Sequence, residues 1–229
     1  MELCYTPFDQ AAQALGIPVA VGEPMSRHTT FQIGGPADRF AAVETLPQLK
    51  ALLQALESQG LPYLVLGKGS NLLVSDKGIR GAVLLLSGEF KAVTLLEDGL
   101  VRAGAGASLA SVCRFVQEHS LTGLEFAWGI PGSVGGAAYM DAGAYGGEMK
   151  DVITHVTACL PDSRTVSYSN EEMAFGYRRS KINQQPEPIA ITSVTVALRP
   201  ADEETVRATM REFSARRREK QPLTLPSCG

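Results

Sequence analysis

The sequence predicts a mixed α+β fold built as two units, on three observations. Short apolar runs of strand length alternate with amphipathic segments of helical spacing along the whole chain. A turn-rich break near Gly88 separates a β-α-β-β block from a second block that opens on a hairpin pattern. Each block contains one glycine-rich stretch set among well-patterned apolar residues. Apolar residues make up 45% of the 229, enough for a true core and too many for a disordered chain.

The first unit is expected over residues 1–88. "ETLPQLKALLQALESQG" is a marked helix: Thr45 caps it, Pro47 suits its first turn and Gly60 stops it, while Leu49, Leu52, Leu53 and Leu56 share one face. Tyr63 to Leu66 follows as a buried strand. The apolar stretches Leu72 to Val74 and Ala82 to Leu86 come next, separated by the turn-prone "SDKGIRG". The second unit is expected over residues 89–200. Asp98-Gly99 between apolar runs is a hairpin signal. Ser108 caps a helix carrying Leu109, Val112, Cys113 and Val116 on one face, which makes Cys113 a core residue rather than a nucleophile. "VITHVTACL" and "IAITSVTVAL" alternate as strands, with a short capped helix expected near "SNEEMAFG" between them. Residues 201–229 then read as a helix from Asp202 to Lys220, with Val206, Met210 and Phe213 on one face, followed by a linker.

Charge narrows the function. The chain has 21 basic and 24 acidic residues, a net charge of −3, and no basic stripe of the kind a nucleic-acid binder carries. Its one basic run, Arg216-Arg217-Arg218 with Lys220, ends a helix that starts Asp202-Glu203-Glu204, so these charges complement the helix dipole. No segment approaches the ~20 apolar residues of a membrane span, and no basic leader opens the chain. The four cysteines lie far apart without C-x-x-C or H-E-x-x-H spacing, so no metal site is expected. Free thiols fit a cytoplasmic protein.

The glycines carry the chemistry. "LGKGSN" directly after a buried strand lets the backbone turn sharply and present successive N–H groups to an anion, although it is neither a Walker loop nor G-x-G-x-x-G. Taken alone, it is a weak signal that fits a plain tight turn better. "WGIPGSVGGAAYMDAGAYGG" holds seven glycines in twenty residues, yet includes Trp128, Ile130, Pro131, Val134, Tyr139 and Tyr145, so it is packed backbone rather than a linker. One such stretch per unit suggests a large ligand held across both.

"RHTTFQIGGPAD", "LGKGSNLLVSDKGIRGAVL", "GIPGSVGGAAYMDAGAYGGE" and "FGYRRSKI" occur here in the order and at the approximate spacings found in the UDP-N-acetylenolpyruvoylglucosamine reductase (MurB) family, and from Arg27 onward nearly the whole chain resembles it. The resemblance implies a two-unit FAD-binding domain of the vanillyl-alcohol-oxidase type. It implies that Gly67, Lys68, Gly69, Ser70 and Asn71, flanked by Leu66 and Leu72, hold the pyrophosphate. Gly129, Ile130, Pro131, Gly132, Ser133, Gly135, Gly136 and Ala137 would form the wall along the flavin. Ala142, Gly143, Ala144 and Ile189 would add contacts. One departure is Asp141, where the family usually has Asn.

The resemblance further implies that NADPH reduces FAD, and that the flavin then reduces the enolpyruvyl ether of a UDP-sugar in peptidoglycan synthesis. Hydride addition leaves negative charge beside a carboxylate. A fixed guanidinium suits that charge because it never deprotonates and binds carboxylate with two N–H groups. Arg178 matches the family's active-site arginine; on spacing alone it would pass as a solvated surface residue. Tyr177 is a candidate substrate contact, and Arg179 reads as solvated. The resemblance implies that "PLTLPSCG" is a linker into a substrate-binding domain and that the proton-donating serine follows Gly229. Neither Ser227 nor Cys228 matches it, so the chain as given is expected to be truncated and inactive alone. Two rival readings are a non-catalytic flavin-binding module and an oxidase or dehydrogenase of the same flavin fold.

Overall fold

The computed structural model describes residues 3–223 and 225–227 of the chain. Cys228 and Gly229, singled out above, lie outside the described residues.

The first sheet is assembled from α1 (Thr6–Ala14), β1 (Val19–Pro24), β2 (Pro36–Val43), α2 (Leu46–Glu57), β3 (Tyr63–Leu66) and β4 (Ile79–Leu86). Its strand order is β1-β2-β4-β3, with β1 antiparallel to β2 and the other three parallel. The strands alternate as period-2 patterning requires. Ala41, Val43, Ala82, Leu84 and Leu86 face the helices, whereas Phe40 and Val83 join a smaller cluster with Met25 and Val74 on the opposite face. Helix α2 follows its sequence signals closely. Thr45 accepts the Gln48 amide at 3.3 Å while Gln48 Oε1 accepts the Thr45 amide at 3.2 Å, a capping box that satisfies two orphan donors. Leu49, Leu52, Leu53 and Leu56 are fully buried.

Parallel neighbours need a long crossover, usually a helix. Between β3 and β4 that crossover is an irregular excursion from Gly67 to Gly78, which carries the first glycine loop over the carboxyl end of β3. The expected strand at Leu72 to Val74 does not form. Val74 instead plugs the smaller cluster, Leu73 is exposed, and the Ser75 carbonyl is taken by the Gly35 amide at 2.9 Å, so no ladder partner remains for this segment.

The second sheet comes from β5 (Val93–Leu95), β6 (Leu100–Gly104), α3 (Leu109–Glu118), β7 (Leu121–Thr122), α4 (Val134–Tyr139), β8 (Gly143–Ala144), β9 (Gly147–Glu148), β10 (Ile153–Cys159), β11 (Thr165–Ser169), β12 (Ala190–Ala197), β13 (Arg199–Pro200) and α5 (Glu203–Lys220). Five strands run antiparallel in the order β11-β10-β12-β6-β5. Asp98 (φ 56°) and Gly99 (φ 73°) both take the left-handed conformation that closes the β5–β6 hairpin. Ser108 caps α3 through the Ser111 amide at 3.0 Å, and burial pushes the Cys113 thiol up to about 12, leaving an inert core thiol.

No helix forms at "SNEEMAFG". The capping contacts are present, Ser169 N to Glu172 Oε2 at 2.8 Å and Glu172 N to Ser169 Oγ at 3.2 Å, but Ala174 turns to φ 46° and the backbone leaves the helical path after one turn. α1, β1 and β11 had no marked sequence signal; α1 buries only Phe8 and Ala12. One core cluster runs from Phe8 through both sheets to Met210, so the two sheets share an interior.

Candidate functional site: a cleft walled by glycine

Backbone from both sheets meets at a cleft of about 460 Å³, within the range of small-molecule sites. One wall is the excursion after β3, contributing Leu66 through Leu72. The other is the chain entering α4, with Ile130, Pro131, Gly132, Ser133, Gly136 and Ala137, then Ala142, Gly143 and Ala144 beyond it. The two walls touch at their base. A Cβ on Gly67 would collide with Ser133 Oγ, and Ser70 Oγ donates to the Pro131 carbonyl. Gly69 sits at φ 61° with its α-carbon against the His28 carbonyl, so both its conformation and its surroundings exclude a side chain.

From Lys68 to Asn71 no backbone N–H donates to a described residue, although the Gly69 carbonyl accepts from Thr30 N at 3.2 Å. A run of unpaired amides in a glycine turn is an anion cradle. Ser133 Oγ accepts the Gly136 amide at 3.3 Å and caps α4 at the same place. A second cavity of about 190 Å³ opens from the base of the cleft. It shares Leu66, Gly67, Ser133 and Gly136, and continues over Ile182, Pro188, Ile189 and Ile191. The Tyr63 hydroxyl donates to the Pro188 carbonyl at 2.5 Å and fixes that far wall.

Every residue expected to hold a cofactor lines one of these two cavities, except Gly129, which lies just behind the wall. Gly135 and Ile189 face the smaller one. Tyr177 is 88% exposed and lines neither. Arg178 does reach the cleft. It occupies the left-handed region (φ 55°) in a two-residue turn closed by Gly176 N to Arg179 O at 3.0 Å and Arg179 N to Gly176 O at 2.8 Å. Such a backbone at a long side chain costs about 1–3 kcal/mol and persists only where its surroundings hold it. Asn183 Nδ2 donates to the Arg178 carbonyl at 3.2 Å, and Arg178 Nη2 donates to Asn71 Oδ1 at 2.7 Å across the cleft. The guanidinium is thereby aimed along the amide-lined loop.

The family described as an FAD binding domain matches residues 37–169. The UDP-N-acetylenolpyruvoylglucosamine reductase of Syntrophomonas wolfei is 43% identical over 211 residues, covering 92% of this chain and 70% of the relative. That of Limosilactobacillus fermentum is 45% identical over 208 residues, covering 90% and 68%. This chain belongs to the UDP-N-acetylenolpyruvoylglucosamine reductase family. The crystal structure of the Thermus caldophilus reductase matches with a TM-score of 0.77 at 34% identity, over 93% of this chain and 73% of that one. Cholesterol oxidase from Brevibacterium sterolicum matches with a TM-score of 0.61 at 17% identity, over 81% of this chain and 38% of that one, a likeness of fold alone. The Gly67–Asn71 loop lines the larger cleft and at Gly67 also borders the smaller, apolar cavity.

Sequence reasoning missed several lining residues. Tyr139 ends α4 and Met140 follows it, Leu109 begins α3, Arg217 lies in the last turn of α5 and Gln221 follows that helix. Only Arg217 left a usable trace, the i+7 spacing from Met210 that puts both on one helix face. Among the described residues no cluster of His, Cys, Asp or Glu fit to hold a metal ion occurs, and no helix is long and apolar enough to cross a membrane.

Proposed function

We propose that this chain is the flavin-holding part of an NADPH-dependent reductase that converts UDP-N-acetylglucosamine enolpyruvate to UDP-N-acetylmuramate. The observation that carries the reading is Arg178: a strained, anchored guanidinium in a cleft whose lining includes no aspartate or glutamate. When bound, FAD supplies the two-electron chemistry that links a reduced nicotinamide to the enolpyruvyl double bond. Gly67 to Asn71 and Ser133 hold its diphosphate with backbone amides and hydroxyls. Ile130, Pro131, Ala142 and Ala144 keep water from its flat part, and Ile189 with Ile191 packs its apolar end.

Arg178 then acts on the substrate. Its two terminal N–H groups take the enolpyruvyl carboxylate, and its charge opposes the negative charge that grows on those oxygens as the double bond is reduced. Asn71 and Asn183 hold the arginine in place before that charge appears, so little reorganisation is needed at the reacting moment. Tyr177, exposed beside it, is suited to contact a substrate arriving from outside the cleft. The chain spans about 70% of the relatives it matches. We therefore infer that the 229 residues bind FAD and accept electrons, and that full turnover requires further sequence.

The test is the visible spectrum of the purified chain, followed by NADPH under anaerobic conditions. A bound-flavin spectrum that bleaches with NADPH and is not restored by the UDP-sugar supports the reading. A folded chain that rejects added FAD overturns it.

A further inference from the structure

Helix α5 carries more than its dipole-matched charges. Val206 and Met210 tie its first half to the core. Further along, Phe213 stacks on Tyr145 with ring centroids 4.5 Å apart and planes 8° from parallel, and Ser214 Oγ accepts Trp128 Nε1–H at 2.7 Å. These contacts fix the second half of the helix against the start of the glycine wall. Arg217, at i+3 from Ser214, therefore falls on the cleft side, where Gln221 just past the helix end also lines the wall.

Arg217 differs from the paired arginines of the helix in lacking a partner among the described residues, and from the exposed Arg218 in being half-buried. Arg207 pairs with Glu203 and Glu204, Arg211 with Glu204, and Arg216 with Glu212. The Arg217 side chain has no hydrogen bond or ion pair among the described residues. It is half-buried, whereas Arg216 and Arg218 are exposed. Its stem lies along the wall because position 129 has no side chain: a Cβ there would come within 3.1 Å of Arg217 Cδ. Among the described residues the cleft lining has three cations, Lys68, Arg178 and Arg217, and no acid. Arg178 is already engaged by Asn71. A partly desolvated guanidinium without a counter-charge calls for a ligand that brings one.

The position selects the ligand group. The diphosphate cradle is the Gly67–Asn71 loop, and the smaller apolar cavity leads away from it. The stretch flanked by Ile130, Ala142 and Ala144, beside Arg217, is left for the flat ring system. Reduction by a nicotinamide brings that ring one proton and two electrons, leaves the oxidised nicotinamide, and gives the ring one net negative charge when no further proton follows.

We propose that Arg217 is a cofactor-binding residue that sets the redox poise of this site: its guanidinium stabilises the negative charge of the reduced flavin and so raises the flavin's midpoint potential. The proposal rests on the flavin reading of the cleft, and its test separates the two. Wild-type chain, R217Q and R217K, each loaded with FAD, are reduced electrochemically against a reference dye with no UDP-sugar present. The expected result is that R217Q retains oxidised FAD but is reduced with an equilibrium constant about tenfold smaller, a fall of about 30 mV for a two-electron couple. R217K keeps the charge and the stem, so it stays within a few-fold of wild type and serves in place of R217Q as the folded control. An R217Q potential equal to wild type overturns the proposal. So does a folded R217Q that takes up no oxidised FAD, because the arginine would then be an anchor for the cofactor rather than a partner of its reduced form. Wild-type chain that binds no FAD sinks the flavin reading itself, an outcome distinct from both.

Discussion

The two glycine-rich segments look alike in composition but use glycine for different reasons. In the loop after β3, Gly69 needs it twice over, for a left-handed backbone and for contact with the His28 carbonyl. In the run leading into α4, Gly135 has ordinary dihedrals, and a Cβ there would simply meet the Ala105 Cβ at 2.7 Å. The first segment is shaped to expose its amides. The second is thinned so that a helix can lie on β6 and offer its other side to the cleft. A flavin site made this way needs one segment for conformation and one for proximity, and the two should fail differently when altered.

The sharpest test of that difference is G69A. The left-handed conformation costs an alanine about 1–2 kcal/mol, and the overlap with His28 adds to it. Loss of FAD binding by more than a hundredfold is expected, measured by fluorescence titration. Retained affinity would break the comparison. G135A should instead cost about 1–3 kcal/mol of stability through overpacking, seen as a lower urea midpoint, with FAD affinity per folded molecule falling much less than in G69A.

Arg178 tests whether anchoring matters separately from cofactor holding. R178K keeps the charge and loses the planar fork that Asn71 engages. FAD binding should be unchanged. Reduction of the UDP-sugar, assayed in a chain that supports turnover, should fall by about a hundredfold, the scale of losing one oriented donor at developing charge. Equal turnover would remove the role assigned to its geometry.

The smallest expected effect is a pH dependence at Asp141. Its carboxyl is fully buried, with Oδ1 accepting the Lys150 amide at 2.8 Å, the Lys150 ammonium 3.8 Å from Oδ2, and Oδ2 without a hydrogen bond among the described residues. Burial raises its pKa, with Glu148 and Asp151 adding to the rise and Lys150 opposing it. A carboxyl with a raised folded-state pKa holds its proton in the fold when the unfolded chain has released it. Its contribution to stability is then full below the ordinary carboxylate range and is lost as pH rises through the raised value. D141N, which installs the residue usual in the family, should flatten the stability-versus-pH curve above pH ~4 without weakening FAD binding. A curve unchanged by D141N would assign the slope to other groups.

Much of this molecule was legible from local signals. Thr45, Ser108 and Asp202 cap their helices through side-chain contacts made within three residues, so the sequence alone located α2, α3 and α5. The four ordered motifs likewise identified the family and the lining of the cleft. The misses share a cause. At Leu72 to Val74 an apolar run was read as a strand, but β4 already had its partners; Val74 is buried as a plug and Leu73 stays exposed. At "SNEEMAFG" a correct start signal was overruled at Ala174, where the chain turns toward the bridge that holds Arg178.

Residue patterning by itself determined helices α2, α3 and α5, the β5–β6 turn, the alternation of the long strands and the presence of two packed glycine segments, because capping, φ preference and periodicity act over a few neighbouring residues. Tertiary structure alone decided that Gly67 meets Ser133, that Arg178 reaches Asn71 from 107 positions away, and that Arg217 leaves the charged face of its helix to enter the cleft. Those pairings depend on how two sheets pack around one core, and packing selects its partners by shape across the whole fold rather than by anything written beside the residues themselves.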